Sequence, residues 1–430
     1  MNIIIHRGAK ETGHSCVEVR SLNNRILVDF GIPLVIGDFQ FFDSKQLEEK
    51  SIQELRAQGV LPDINGLYKD GQKSIDAILI SHSYPGHYGF LRYVNPEIPI
   101  YLSQGASLLI EAFNSFISTK VPRLNMRIIK PKKQFSIGGF TIAPFAVDPC
   151  AFDALAFLIE AEGKRLFYSG DFRAHRRKAE LFKQLVEKPP QNIDCLLMDG
   201  AAFDREDAEY KTEVEVEKRL EEILNQRKNM TFLFVSSQNI ERIVSAYKAC
   251  LNTGSIFVID IYTAFVLDKL RKVFKRIPQF NWKNLRIKFQ KNQAEALAAA
   301  GYRDLLYVYN KRKIDVFEIS RNKQRILMLA SDNSVFPVIL KDIKDVAGAT
   351  IAYSMWEGYL SEQFGVFCGE KGLILEYIHT SGYPNPEDLQ AFASAIKPKT
   401  LASIHTFDAQ KYPLLFNNVK ILSNGEAFDI

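Results

Sequence analysis

Ser81-His82-Ser83-Tyr84-Pro85-Gly86-His87-Tyr88-Gly89 follows directly on an apolar run, Asp76-Ala77-Ile78-Leu79-Ile80. Ser74 to Ser81 reads as a buried strand that feeds a polar, glycine-containing loop. A strand end of this kind holds side chains at fixed positions while leaving one side open. His82 and His87 can there face one metal ion or two adjacent ones. Histidines in loops are more often unliganded, so the pair gains meaning only from what else arrives at the same place. In Tyr168-Ser169-Gly170-Asp171 an apolar strand delivers an aspartate through a glycine. Its carboxylate can bridge two cations or simply accept hydrogen bonds in a turn. Ser403-Ile404-His405-Thr406 places a histidine at the end of the strand Leu401 to His405.

Around these segments the chain changes character once. Asn2 to His6, Ser15 to Val19 and Arg25 to Asp29 read as strands, with Asn23-Asn24 as a hairpin turn. Pro99 to Leu102 is a further strand and Ser107 to Ile117 a helix. Phe140 to Val147, Ala154 to Glu160, Arg165 to Tyr168 and Asp194 to Met198 continue the strand series. From there helices and strands alternate: helix Glu213 to Asn225, strand Thr231 to Val235, helix Ile240 to Leu251, strand Ile256 to Asp260, helix Thr263 to Phe274. Alternation predicts a parallel α/β unit. The last stretch returns to the first pattern, with a helix from Glu387 to Ile396 behind Pro386. The expected organisation is a first domain over 1–198 and 371–430, interrupted by a second over 199–370.

Bulk properties bound the function. At 430 residues, two cores are the natural expectation. A 47% apolar and 24% charged composition is globular and argues against disorder. No run of about 18 apolar residues occurs, so no membrane-spanning helix is expected, and the opening residues carry no signal-peptide pattern. Five widely spaced cysteines (Cys16, Cys150, Cys195, Cys250, Cys368) fit buried thiols in a reducing cytoplasm and exclude a cysteine-rich zinc site. Net charge is +5, yet Lys269 to Arg325 holds 16 Lys and Arg against 4 Asp and Glu, a local +12 that leaves −7 for the remainder. That asymmetry points to a face for a polyanion, RNA or DNA, with Arg286, Lys288, Lys311, Arg312 and Lys313 as candidate contacts; a solvated helix face is the alternative. Phe274, Phe280, Trp282 and Phe289 interleave with those charges, compatible with base stacking, although most aromatics at such spacing belong to a core.

Taken together the motifs resemble the metallo-β-lactamase superfamily, and within it the β-CASP nucleases such as ribonuclease J and the cleavage-and-polyadenylation endonuclease subunit. The resemblance covers nearly the whole chain. Gly8-Ala9-Lys10-Glu11-Thr12-Gly13 with Ser15-Cys16 is similar to the family's first-hairpin loop, and Leu27-Val28-Asp29-Phe30-Gly31 to its first aspartate motif. Ser81 to His87 aligns with the signature T/S-H-x-H-x-D-H, and Ser169-Gly170-Asp171 with the bridging aspartate. Asp199 is placed like the acidic residue that opens the β-CASP insert. Ser236-Ser237-Gln238-Asn239 and Tyr353-Ser354-Met355-Trp356-Glu357-Gly358 resemble insert strand ends. Ser381-Gly382-Tyr383 and Ile404-His405 fall on the two closing histidine motifs. The implied fold is an α/β αββα sandwich with an inserted β-CASP domain, and the implied activity is metal-dependent phosphodiester hydrolysis.

The departures from that pattern are as informative. Of seven implied metal-ligand positions, His82, His87, Asp171 and His405 keep a ligand residue, while Tyr84, Gly86 and Pro149 do not. The resemblance assigns one ion to His82, Asp171 and two lost positions, too few groups to hold Zn²⁺ tightly. It assigns the other to His87, Asp171 and His405, a two-histidine, one-carboxylate set that can hold a single divalent ion, Zn or Mn, with open positions. The signature aspartate also orients the attacking water, which Gly86 cannot do. Tyr383 stands where the family has a histidine, and a phenol of pKa ~10 is a weak acid at neutral pH. The expectation is a pseudo-nuclease with little or no hydrolysis, holding nucleic acid, a protein partner or a second copy. A one-metal hydrolase in which Asp171 and Tyr383 act on substrate is the alternative. His14 is expected to line the pocket, His175 with Arg176-Arg177-Lys178 to form a basic rim, and His6 and His379 to be structural.

Overall fold

The computed structural model describes residues 1–11, 13–36, 40–117, 124–174, 179–201, 210–331 and 335–430. Thr12 of the glycine-containing loop and the basic segment from His175 to Lys178 lie outside them. The chain forms two compact units. The first comprises Met1–Ser107, Thr119–Glu206 and Gly382–Ile430, and the second Leu108–Ser118 and Asp207–Ser381.

Two large sheets build the first unit, beside a two-stranded ribbon of Val35–Ile36 and Gln40–Phe41. One has seven strands in the spatial order Ala427–Asp429, Asn2–Arg7, Cys16–Ser21, Asn24–Val28, Ala77–Leu79, Ile100–Leu102 and Met126–Ile128. The other has six, in the order Thr400–Ile404, Cys195–Asp199, Lys164–Tyr168, Ala154–Ala161, Phe140–Val147 and Phe135–Ile137. The strand Ala154–Ala161 explains how they pack. Leu155, Phe157 and Ile159 enter the core shared with Ile3, Val17, Val28 and Leu79 of the first sheet. Ala156 and Leu158 point the other way, onto Leu389, Phe392 and Ile396 of the helix Pro386–Ile396. A strand covered on both faces loses its polar alternation and becomes a continuous apolar run, as ALAFLIEA does. The result is the sheet-on-sheet, helix-flanked sandwich that the resemblance implies.

The second unit holds a seven-stranded, all-parallel sheet in the order Lys313–Ile314, Leu285–Lys288, Ile256–Asp260, Ile326–Ala330, Thr231–Phe234, Thr350–Tyr353 and Ile374–Tyr377. Phe232, Phe234, Met328, Ile351 and Tyr353 of its central strands pack with Phe336 and Phe364. Because Ile374–Tyr377 pairs with Thr350–Tyr353, the chain stays in this unit past residue 371 and returns to the first unit at Gly382. Two local expectations shift as well. The first hairpin turns at Leu22-Asn23 rather than Asn23-Asn24, with Leu22 at φ 50° and 83% exposed. Asn24 is drawn into the strand instead, where it pairs with Ser21. The helix expected from Ser107 begins at Gln104 and ends at Asn114.

Beside this hairpin sits a fully buried carboxylate, Glu18. It accepts hydrogen bonds from Arg20 (Nε, 2.7 Å) and Arg25 (Nε, 2.7 Å) and lies 2.7 Å from Nε2 of His6. Burial by itself would raise its pKa, but bonds from His6, Arg20 and Arg25 outweigh that and hold it well below the usual carboxylate range. A depressed folded pKa contributes stability that is complete above the unfolded value near ~4.3 and is lost as pH falls below it. Melting curves from pH 7 to pH 3 should therefore steepen in their decline below about pH 4.3. Glu18→Gln should flatten that decline and reduce stability at pH 7 by about 2 kcal/mol. An unchanged acid limb in the variant would exclude Glu18 as its source.

Candidate metal centre

Four strand ends of the first unit deliver the polar residues of one buried cluster. Ala77–Leu79 leads to Ser81, His82 and His87, Lys164–Tyr168 to Asp171, Cys195–Asp199 ends in Asp199, and Thr400–Ile404 precedes His405. All five potential ligands, His82, His87, Asp171, Asp199 and His405, are buried. The loop after His82 is a short helix, Pro85–Tyr88, with proline at its first turn. Its carbonyls are held from three sides: Ser15 N donates to Gly86 O (3.1 Å), Phe30 N to His87 O (2.7 Å) and Ile32 N to Pro85 O (2.9 Å). Gly31 is required here, since an added Cβ would stand 1.5 Å from Gly86 O.

Asp29 is the hub that orients the histidines. Its carboxylate accepts from Ser81 N (2.7 Å), Ser81 Oγ (2.7 Å) and Tyr168 OH (2.6 Å), and lies 2.8 Å from Nδ1 of His87. Asp29, His14 and His405 all adopt positive φ, at 60°, 59° and 60°. Backbone of that kind is costly for residues other than glycine and gathers where function demands it. With Nδ1 of His87 turned to Asp29, its Nε2 faces Asp171 Oδ1 at 3.6 Å. His82 places Nδ1 3.0 Å from Ser81 Oγ, and its Nε2 makes no hydrogen bond but stands 3.7 Å from Asp171 Oδ2. His405 Nδ1 lies 3.6 Å from Asp171 Oδ1 and 3.3 Å from Asp199 Oδ1.

These separations fit a metal ion. Bonds of about 2.0–2.1 Å at tetrahedral angles place neighbouring ligand atoms roughly 3.4 Å apart, wider than a hydrogen bond. Two groups bring their ligand atoms within 4.8 Å of one another, His82–His87–Asp171 and Asp171–Asp199–His405, with Asp171 common to both. Electrostatics set the proton states that an arriving ion would meet. Burial, reinforced by the neighbouring His87 and His405, keeps His82 neutral with its pKa far below the ordinary value. Burial opposes charge on His87 too, but Asp171 and Asp29 outweigh it and lift the pKa to about 9, so an ion must displace that proton. Burial raises Asp171 despite His405 and His87 beside it.

Of the three positions that the resemblance marks as lost ligands, Tyr84 has a structural role. Tyr84 OH donates to Cys150 O (3.0 Å), and its ring meets His82 edge-on at 5.5 Å. Burial and Cys150 push the phenol well above its usual pKa, which leaves it protonated and a poor ligand. Pro149 is flanked by Asp148, whose carboxylate takes the buried Arg173 guanidinium at 3.3 Å. At Gly86 an added Cβ would make only ordinary contacts, 3.4 Å from Gly13 Cα and 3.7 Å from His14 N. Tyr383 stacks obliquely on His405 at 5.8 Å. His14 points to Glu11 (3.4 Å) and packs edge-on to Phe90, outside both ligand groups, and His6 serves Glu18. Sequence reasoning placed Asp199 only as the start of the insert and missed its approach to His405.

The basic stretch lies wholly in the second unit. Arg286 pairs with Glu318, and Arg312 donates to the carbonyls of Asn281 and Trp282, so both are already engaged. Lys288 is half-buried, whereas Lys311 and Lys313 are exposed. Phe280 is buried against Tyr309, and Trp282 packs on Tyr247 at 5.5 Å. Among the described residues, no helix is long and apolar enough to cross a membrane.

Comparisons with known proteins agree with this architecture. A family model described as a beta-lactamase superfamily domain matches residues 42–230. Ribonuclease J of Sinorhizobium meliloti (strain Sm2011 / Rm2011 / 2011) is 22% identical over 373 residues, which cover 80% of this chain and 60% of that protein. Ribonuclease J of Mycoplasma genitalium (strain ATCC 33530 / DSM 19775 / NCTC 10195 / G37) is 21% identical over 455 residues, 97% of this chain and 72% of the relative. The chain thus spans less than two thirds of the first relative's length. A crystal structure of a protein of unknown function from Enterococcus faecalis V583 superposes with a TM-score of 0.77 at 19% identity, covering 99% of both chains, which establishes a shared fold. With the sandwich, the interrupting parallel α/β unit and the strand-end His/Asp cluster in place, residues 42–230 match the beta-lactamase superfamily domain and the chain is similar to the ribonuclease J proteins.

Proposed function

We propose that this chain is a ribonuclease J-like protein that binds RNA, retains a centre for one divalent ion, Zn or Mn, and has lost efficient phosphodiester hydrolysis. The observation that carries the reading is the content of the cluster: Tyr84, Gly86 and Pro149 offer no metal-binding side chain, while Asp171 and its histidines keep ligand spacing. His87, Asp171 and His405 would hold the ion, with His82 and Asp199 completing its surroundings. A bound divalent ion would supply Lewis-acid polarisation of a phosphoryl oxygen. Asp29 holds His87 in the tautomer that presents Nε2 to the cluster. Gly86 provides no carboxylate to align an attacking water, and Tyr383 offers a hydroxyl that binds a phosphate oxygen better than it protonates a leaving group. The widely spaced cysteines and the relatives named ribonuclease J support a cytoplasmic RNA ligand.

The test is incubation of the zinc- or manganese-loaded chain with end-labelled single-stranded RNA. The expected result is retention of RNA without product above the protein-free control. Turnover near an ordinary enzymatic ~1 s⁻¹ or faster would contradict it. A second reading, a one-metal hydrolase, draws on Asp171 Oδ1 standing 3.6 Å from both His87 Nε2 and His405 Nδ1. Product that rises in proportion to metal occupancy and vanishes in Asp171→Asn would favour it.

A further inference from the structure

We infer that residues 303–321 of the second unit form a platform for single-stranded nucleic acid, with Tyr307 and Phe317 as base-stacking surfaces. The inference rests on the nucleic-acid reading above and names the surface that serves it.

Tyr307 is 71% and Phe317 76% exposed, far more than aromatic side chains that stabilise a fold. Their surroundings give them a partner. In the helix Arg303–Asn310, Arg303 and Tyr307 stand four apart, and Lys311, at the helix end with φ −63° and ψ −17°, continues the same row. All three are exposed, and spacing of four places them on one face. The chain then passes through the edge strand Lys313–Ile314, where Lys313 is exposed and Ile314 buried. The Lys313 ammonium lies 5.5 Å over the Phe289 ring. The next helix, Val316–Arg321, repeats the pattern with Phe317 and Arg321, again exposed and four apart.

The local acids are largely spoken for. Asp315 caps its helix by accepting Glu318 N (2.7 Å), and Glu318 pairs with Arg286. Arg303, Lys311, Lys313 and Arg321 make no ion pair among the described residues, and Asp304 is the remaining acid of the segment. Two aromatic faces interleaved with cations suit a strand whose bases are unstacked and whose phosphates run alongside. A duplex hides its base faces and would use only the charges.

Fluorescence anisotropy with the full chain tests this, using a labelled 12-nucleotide oligouridylate and the same strand in duplex with oligoadenylate. Wild type should bind the single strand at least tenfold more tightly than the duplex. The Tyr307→Ala/Phe317→Ala variant should lose tenfold or more for the single strand, with an unchanged melting curve because neither ring is packed. Tyr307→Phe and Phe317→Tyr should bind as wild type does. Lys311→Glu/Lys313→Glu should weaken binding and make the slope of log K against log salt shallower by roughly 1.4. Equal affinity for duplex, or full affinity in the double alanine variant, overturns the platform alone. Loss of self-association in that variant with RNA affinity intact overturns it in favour of a protein interface. Absence of any oligonucleotide binding by wild type removes the nucleic-acid reading of the preceding section as well.

Discussion

Asp171→Asn should lower zinc affinity by more than roughly 100-fold, the upper end of what loss of an outer-shell partner costs. Asp171 is the one side chain shared by both ligand groups, with Oδ1 turned to His87 and His405 and Oδ2 to His82. Asparagine keeps its shape but not its charge, and leaves three histidines around a site with no bridging anion. Competition against a chromophoric chelator measures the change. Tyr84→Phe is the matched control. It removes a hydroxyl already committed to Cys150 O and should leave zinc affinity within about twofold, well short of the outer-shell range. If both variants bind zinc like wild type, the ion does not sit at Asp171.

The second large effect concerns the interrupting unit. Arg242 and Glu213 are both fully buried. Glu213 accepts from Arg242 Nε (3.1 Å) and Nη2 (2.9 Å) and from Ser245 Oγ (2.7 Å). The guanidinium also reaches the carbonyls of Ser354 and Ile378, both at 3.4 Å, as well as the Ser354 hydroxyl. It therefore joins the helices Glu213–Gln226 and Ile240–Thr253 to the ends of the strands Thr350–Tyr353 and Ile374–Tyr377. Arg242→Met strands a buried carboxylate and should cost this unit about 3–5 kcal/mol. Replacing both partners, Arg242→Met with Glu213→Leu, should recover most of that loss, because no uncompensated charge remains. Urea denaturation followed by tryptophan fluorescence reads both, since Trp282 and Trp356 lie in this unit. A loss under about 1 kcal/mol in the single variant would mean that water or another cation reaches Glu213.

What could be read from the chain alone follows from locality. The run SIDAILIS with its two histidines, and the Ser-Gly-Asp after Tyr168, announce themselves because strand and ligand are adjacent in sequence. Asp199 does not, because its partner His405 arrives on a neighbouring parallel strand more than 200 residues later, in a register that pairs Asp199 with Ile404. The part played by Asp29 is hidden for the same reason: its donors come from Ser81, His87 and Tyr168. Charge counting located the basic stretch but could not see that Arg286 and Arg312 are consumed by a carboxylate and by carbonyls. Nor could it see that Tyr307 and Phe317 stay outside, since aromatic residues in a helix-rich segment are core by default. The hairpin turn moved by one residue because strand pairing and the core face, not the asparagines, set its register.

Metal analysis of the wild-type chain, loaded with excess zinc and exhaustively desalted, addresses the account at its root. Two ligand groups that share Asp171, with no further ligand from Tyr84, Gly86 or Pro149, should retain about one equivalent per chain. Two tightly held equivalents would contradict it, because each three-residue group would then hold its own ion while sharing Asp171.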